Sequence, residues 1–254
     1  MIIPGLVSVT FRDKKPEEII EICVNNHLKA VEWGENAHVM PGDPAGAAAL
    51  REKTLAAGLE VAAYGSYYRL CTGMDFAPTL VSAKALGAPV IRVWAGNIPS
   101  AEADETYRAN AAREAAEIAG MAQKENIKIA FEWHKNTLTD TNESAMALLK
   151  DADHPNLYCL WQPTVALSEE ERCEGIRLLG DRLVNLHVYY WPDGKRGAFG
   201  PGKAFWQSYL SCVPKDTDRY ALLEFVKDNT IEQLEEDAAA LIRLLIEEGV
   251  YIHG

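Results

Sequence analysis

Three ionisable side chains sit where an apolar strand would bury them: Glu132 inside IAFEWH, Glu224 inside ALLEFV and His187 inside LVNLHVYYW. A carboxylate taken out of water is costly unless it is paired, hydrogen-bonded or bound to a metal. Two carboxylates and an imidazole brought to one place make a donor set for a divalent cation. Such a cation is a Lewis acid for a hydroxy-carbonyl compound, because it stabilises the enediolate formed when the neighbouring proton leaves. Glu132 and Glu224 are then the candidates to remove and return that proton. Gln162, in LYCLWQP, can add an amide oxygen but no charge, so the set carries two negative charges where an Asp would make three.

These residues can meet only if the chain places them on neighbouring elements. Short β-rich runs alternate with longer amphipathic runs from end to end, the pattern of parallel βαβ units. The strands are expected at Gly5–Thr10, Ala30–Trp33, Glu60–Tyr64, Val90–Trp94, Ile127–Trp133, Leu157–Trp161, Leu183–Tyr189 and Tyr220–Phe225. Helices are expected at Pro16–Asn25, Pro44–Ala57, Phe76–Leu86, Ala103–Lys124, Asn142–Lys150, Ser168–Leu179 and Thr230–Glu248, which with the most irregular link, Gly194–Asp218, makes eight helical segments. Ser168 and Glu171 have capping-box spacing, and Gly58, Gly87 and Gly249 stand just past helix ends. An open doubly wound sheet would show a Gly-rich phosphate loop after its first strand, but the chain reads TFRDKKP there. The expectation is a closed (β/α)8 barrel, one domain over residues 1–254, close to the roughly 250 residues such a barrel needs.

In that architecture catalytic groups project from the carboxyl ends of the strands. The polar residues there are Glu32 and His38, then Tyr64, Tyr67 and Tyr68, then Arg92 and Asn97, Glu132 and His134, Gln162, His187 and Glu224. Aromatic residues near the same ends, among them Trp94, Trp133, Tyr189 and Trp191, can pack on a sugar face.

Composition narrows the partners. A formal charge of −12 with no basic stripe argues against a nucleic-acid backbone. No run approaches 18 apolar residues and MIIPGLVSVTFRDKK reverses the order of a secretory signal, so a cytoplasmic chain off the membrane is expected. The five cysteines stand singly, without zinc spacing, and are expected to be reduced.

Together FRD, VEWG, IRVWAG, FEWHKNTLTDT, HPNLYCLWQP, NLHVYYW and LLEF resemble the xylose-isomerase-like TIM-barrel superfamily over nearly the whole chain. FEWHKNTLTDT and HPNL are most similar to its dehydratase and epimerase branches. The resemblance implies one divalent metal (Mn, Mg, Co or Zn) held by Glu132, Gln162, His187 and Glu224, with Gln162 where the family usually has Asp. Val165 stands where an endonuclease branch would have His, which argues against a cluster of several metals. His134 matches a general base of the dehydratases or a substrate contact of the epimerases. Glu32, His38, Tyr64, Arg92 and Lys203 are the expected substrate-binding residues, with Lys195 and Arg196 in the loop RGAFGPGK as further anchors.

The function implied is a metal-dependent isomerase or epimerase of a sugar, keto-sugar or polyol working through an enediolate. The alternatives are a dehydratase of a hydroxy-carbonyl substrate such as 3-dehydroshikimate or an inosose, and a metal-free barrel that binds a sugar without turning it over. The expected partners are a small sugar-like molecule and, in a homo-oligomer, copies of the chain itself.

Overall fold

The computed structural model describes residues 1–251; residues 252–254 of the expected domain lie outside them. Eight parallel strands close into a barrel in sequence order. They are β1 (Ile2–Val7), β2 (Ala30–Gly34), β3 (Glu60–Arg69), β4 (Val90–Trp94), β5 (Lys128–Glu132), β6 (Leu157–Trp161), β7 (Leu183–Val188) and β8 (Arg219–Leu223). β8 pairs with β1 from Ile2↔Arg219 to Leu6↔Leu223, which closes the ring.

Around it lie α1 (Pro16–Asn25), α2 (Pro44–Ala56), α3 (Ala77–Leu86), α4 (Glu105–Gln123), α5 (Asn142–Ala152), α6 (Glu169–Leu179), α7 (Lys203–Cys212) and α8 (Ile231–Glu247). The local signals act as the sequence suggests. Ser168 and Glu171 form a reciprocal capping box at α6, Thr230 caps α8 through the Gln233 amide, and Gly87 ends α3 at φ 71°, which a side chain would resist. The eight helices alternate with the eight strands, and no helix of the described residues is long and apolar enough to cross a membrane.

The largest departures from the expected boundaries are in β1 and β3. β1 begins and ends earlier, and Ser8–Phe11 turn as a 3-10 helix because the Ser8 hydroxyl accepts from the Gly34 amide and the Thr10 hydroxyl from the Phe225 amide. β3 runs on to Arg69, with an irregular register against β4 between Gly65 and Arg69. The link before β8 contains α7.

Period-two alternation separates two apolar regions. Trp33, Ile91, Phe131, Cys159 and Leu186 face the helices in the main core, while Ala30, Leu222, Ala130 and Leu160 belong to smaller clusters within the barrel. The next inward position after those small residues is polar on strand after strand: Glu32 after Ala30, Arg92 after Val90, Glu132 after Ala130, Gln162 after Leu160, Glu224 after Leu222. The barrel floor is thus apolar and its upper layer ionic. All five cysteines are free, three of them buried.

Candidate active site

The upper layer has a buried ionic frame. Glu32 is 0% exposed and its Oε2 lies 3.0 Å from His187 Nε2, while its Oε1 lies 3.5 Å from Arg92 Nε. Arg92 also reaches Glu132 Oε2 at 3.2 Å through Nη1, which donates to the Ser66 carbonyl at 3.0 Å. His187 Nδ1 lies 3.3 Å from Glu224 Oε2 without forming a hydrogen bond.

Glu132 is held on both oxygens. Trp94 Nε1 donates to Oε2 and Gln162 Nε2 to Oε1 at 3.0 Å, in addition to the Arg92 contact. Gln162 Nε2 also donates to the Trp133 carbonyl at 2.8 Å, so its amide hydrogens are committed and its carbonyl oxygen is the atom left for a ligand.

Space for this frame comes from Gly65. A Cβ there would stand 2.6 Å from Glu32 Oε1 and 3.0 Å from Arg92 Nη2. Gly65→Ala is therefore expected to destabilise the protein by about 1–3 kcal/mol through overpacking. Urea denaturation should show a lower midpoint with an unchanged slope; an unchanged midpoint would mean that the frame yields freely.

The charges set the protonation states. Burial raises the Glu132 pKa, but Arg92 foremost, then His187 and His134, overcome it and hold the group below the ordinary carboxylate range. Burial likewise raises Glu32, and His187 and Arg92 bring it net downward. Burial disfavours imidazolium at His187, yet Glu224 and Glu32 outweigh that and push its pKa well above the usual histidine value.

Glu132, His187 and Glu224 can present ligand atoms within 4.8 Å of one another. The fit to a divalent cation is good on chemical grounds: two carboxylates, a buried Nδ1 without a hydrogen bond, and a spare amide oxygen on Gln162. Glu32 on Nε2 is the type of carboxylate partner that fixes a ligating imidazole's tautomer. Because Nδ1 must give up its proton to ligate, metal uptake should release about one proton per chain below the raised His187 pKa. Affinity should then rise about tenfold per pH unit and level off above that pKa. Calorimetry in buffers of different ionisation enthalpy reads the released proton; a buffer-independent heat would contradict the assignment.

Above these residues opens a cavity of about 310 Å³, lined by Glu132, Gln162, Glu224 and Arg92 below and by Arg12, Tyr67, Trp94, His134, Lys135, Trp191 and Phe225 toward solvent. His134 stacks on Trp94 with ring centroids 5.2 Å apart, and its Nδ1 contacts the Lys135 carbonyl at 2.6 Å. A carbonyl only accepts, so Nδ1 carries hydrogen and Nε2 is the basic nitrogen of the neutral ring. Phe225 follows Glu224 at φ 52°, a left-handed conformation costing a bulky residue about 1–3 kcal/mol. Its amide is tied to Thr10 Oγ1 at 3.1 Å.

Several expected substrate contacts lie elsewhere. Glu32 is beneath the site, wholly buried against His187 and Arg92. Tyr64 faces the helices in the main core, because Gly65 takes the inward position of β3. His38 braces the first loop through Ser8 Oγ at 2.9 Å and the Lys14 carbonyl at 3.0 Å. Lys203 begins α7 and pairs with Glu247 at 2.5 Å in the helical layer, and Arg196 bonds Asn229 and lies over the Phe225 ring. None of Glu32, His38, Tyr64 and Lys203 lines the cavity. Arg12, Lys135 and Phe225, which do, were not among the expected site residues, although each stands in a segment that carries the family resemblance, FRD, FEWHKNTLTDT and LLEF.

The fold is shared with proteins of known structure. A curated 3-dehydroshikimate dehydratase of Bacillus anthracis is 26% identical over 168 residues, 60% of this chain and 59% of that protein, so the match spans less than two thirds of the relative. The crystal structure of a probable 3-DHS dehydratase from Bacillus anthracis superposes with a TM-score of 0.78 at 20% identity, covering 95% of this chain and 99% of the other. An L-ribulose 3-epimerase superposes with a TM-score of 0.71 at 14% identity, covering 98% and 96%. At such identities the structural likeness speaks to fold. The model of the xylose isomerase-like TIM barrel matches residues 19–247, and the chain belongs to that family.

Proposed function

We propose that the chain is a metal-dependent enzyme that moves a proton beside the carbonyl of a small sugar-like substrate, as an aldose–ketose isomerase does. The observation that carries this reading is the meeting of Glu132, His187 and Glu224 within 4.8 Å, with both carboxylates at the floor of the cavity and His187 buried behind them. A divalent cation held by Glu132, His187, Glu224 and the Gln162 amide oxygen would supply Lewis acidity toward the substrate oxygens.

The two carboxylates are unequal. Glu132 receives Trp94, Gln162 and Arg92, which take up three of its roughly four acceptor sites and leave one for a metal, so it would serve as a fixed ligand and not as the base. Glu224, whose contact is His187, is the carboxylate left to take and return the proton. One base on one face can carry a proton between adjacent carbons, which suffices for isomerisation. Epimerisation needs a second group on the opposite face, for which His134 is the candidate. Trp94, Trp191 and Phe225 wall the cavity and would pack on the substrate's apolar face while limiting water.

The test is to incubate the full-length chain, supplied with Mn²⁺ or Mg²⁺, with a panel of keto-sugars in deuterium oxide and to follow the carbon-bound proton by NMR. Deuterium at the carbon beside the carbonyl with conversion between aldose and ketose supports the reading. Metal-loaded protein that exchanges no proton on any of them would overturn it.

A second reading, dehydration, is favoured by His134 on the same cavity with Nε2 as its basic nitrogen. Loss of a β-hydroxyl from the same enediolate would give a conjugated carbonyl, detectable by ultraviolet absorbance. That product, abolished in His134→Gln, would replace isomerisation with elimination.

A further inference from the structure

A second cavity adjoins the one above Glu132 and Glu224. It encloses about 390 Å³ between the segments that follow β6 and β7 and the helices α6 and α7. Val165, Tyr189 and Trp191 line both cavities and so form a common wall. Neither carboxylate of the ligand set, nor Gln162 or His134, lines the second one. It can hold part of a molecule but has no groups to transform it. Either cavity alone reaches the roughly 300–1,000 Å³ of an ordinary small-molecule site. A one-ring substrate seated over Glu132 and Glu224 would therefore leave the second cavity unfilled.

The second cavity is walled by aromatic rings that already hold their places. Tyr190 and Phe205 stack with centroids 5.8 Å apart, and Trp206 Nε1 donates to the Tyr189 carbonyl at 2.9 Å. Polar groups interrupt this surface. Arg172 Nε donates to the Thr164 carbonyl at 3.0 Å and Nη1 to the Tyr209 hydroxyl at 3.2 Å, which fixes the guanidinium and leaves Nη2 as a donor without a partner among the described residues. Asp193, exposed on the same cavity, adds an acceptor. An aryl group would fill the aromatic walls but satisfy neither Arg172 nor Asp193. A sugar ring offers C–H faces to the aromatic rings and, at its edge, hydroxyls that both donate and accept. In the common wall the Trp191 N–H forms no hydrogen bond among the described residues, and the ring is held by contacts such as its stack on Tyr189 at 4.3 Å. No hydrogen bond has to break for it to yield where a glycosidic link crosses.

We propose that the second cavity is a subsite for a second sugar ring, and that the substrate is a reducing oligosaccharide whose reducing-end ring reaches Glu132, His187 and Glu224. This rests on the proton-transfer reading and names the substrate class. Binding energy from the second ring, remote from the reacting carbons, is then available to hold the first ring over the carboxylates.

The test is equilibrium binding of sugar alcohols, which have no carbonyl and cannot turn over, so failure of the proton-transfer chemistry and failure of this proposal give different results. The full-length chain in Mg²⁺ is titrated with D-glucitol, with its 4-O-α- and 4-O-β-glucosyl derivatives maltitol and cellobiitol, and with phenyl β-D-glucopyranoside, following tryptophan fluorescence. One of the two glucosyl derivatives is expected to bind about tenfold more tightly than glucitol, the order that a stacking contact supplies. Phe205→Ala should lose most of that ratio and Asp193→Ala part of it; both side chains are exposed, and thermal melts confirm that each variant is folded. The proposal is overturned if neither derivative binds more tightly than glucitol, or if the ratio survives in both variants. It is equally overturned if the phenyl glucoside binds more tightly than both derivatives, which would assign the second cavity to an aromatic group.

Discussion

Glu224→Gln should lower the proton-transfer rate by about 10² to 10⁴, the range general-base catalysis supplies, while leaving the fold intact. The substitution keeps the shape of the side chain but removes the one carboxylate whose oxygens are not taken up by Trp94, Gln162 and Arg92. Single-turnover exchange in deuterium oxide, read beside a urea melt, separates loss of the base from loss of structure. A variant that exchanges at the wild-type rate would pass the role to Glu132 or His134. Because Glu224 and Glu132 both belong to the ligand set, each Gln variant should also bind metal more weakly, so the exchange is read at saturating metal.

Arg92→Met is expected to cost the fold about 3–5 kcal/mol, the penalty of leaving buried charge without its partner. The guanidinium is 3% exposed and stands between Glu32 and Glu132, each itself nearly inaccessible to water. Burial lowers the Arg92 pKa, but Glu132, Glu32 and Glu224 outweigh it and raise it, so the charge is permanent. Adding Glu32→Gln to Arg92→Met should recover part of the loss, because one orphaned carboxylate is removed. Denaturant midpoints for the two single variants and the double variant form a cycle that reads the coupling. Strict additivity would mean that the two residues do not act as a pair.

How much of this could be read in the chain depends on which physical signal each residue leaves. Glu132, Gln162, His187 and Glu224 stand out because a polar residue at the end of an apolar strand interrupts an otherwise uniform run, and alternation then fixes which face it takes. Seven of the helices were legible with bounds from amphipathic spacing and caps; α7 was expected only as an unbounded segment in a link rich in glycine, proline and aromatic residues.

The depth of a residue was not legible. AVEWG and ALLEFV read alike, yet Glu32 is sealed under His187 while Glu224 lines the cavity. The difference comes from the register of the closed sheet, including the shift between Val31 and Glu32 against β3. Tyr64 lies away from the cavity for a similar reason, since β3 continues past it and Gly65 faces inward. Lys203 lies away from it because the helix starts at that residue and Glu247 of α8 stands within reach. These are contacts between elements far apart in sequence, and no local pattern encodes them.

The measurement closest to the central claim is the metal content of the full-length chain purified without chelator and then supplied with Mn²⁺, Mg²⁺, Co²⁺ or Zn²⁺, alongside Glu132→Gln and Glu224→Gln. The account predicts about one ion per chain, lost or much weakened in both variants. No bound ion even when each metal is in excess would contradict it, and the chain would then stand as a barrel that holds a sugar-like ligand without turning it over.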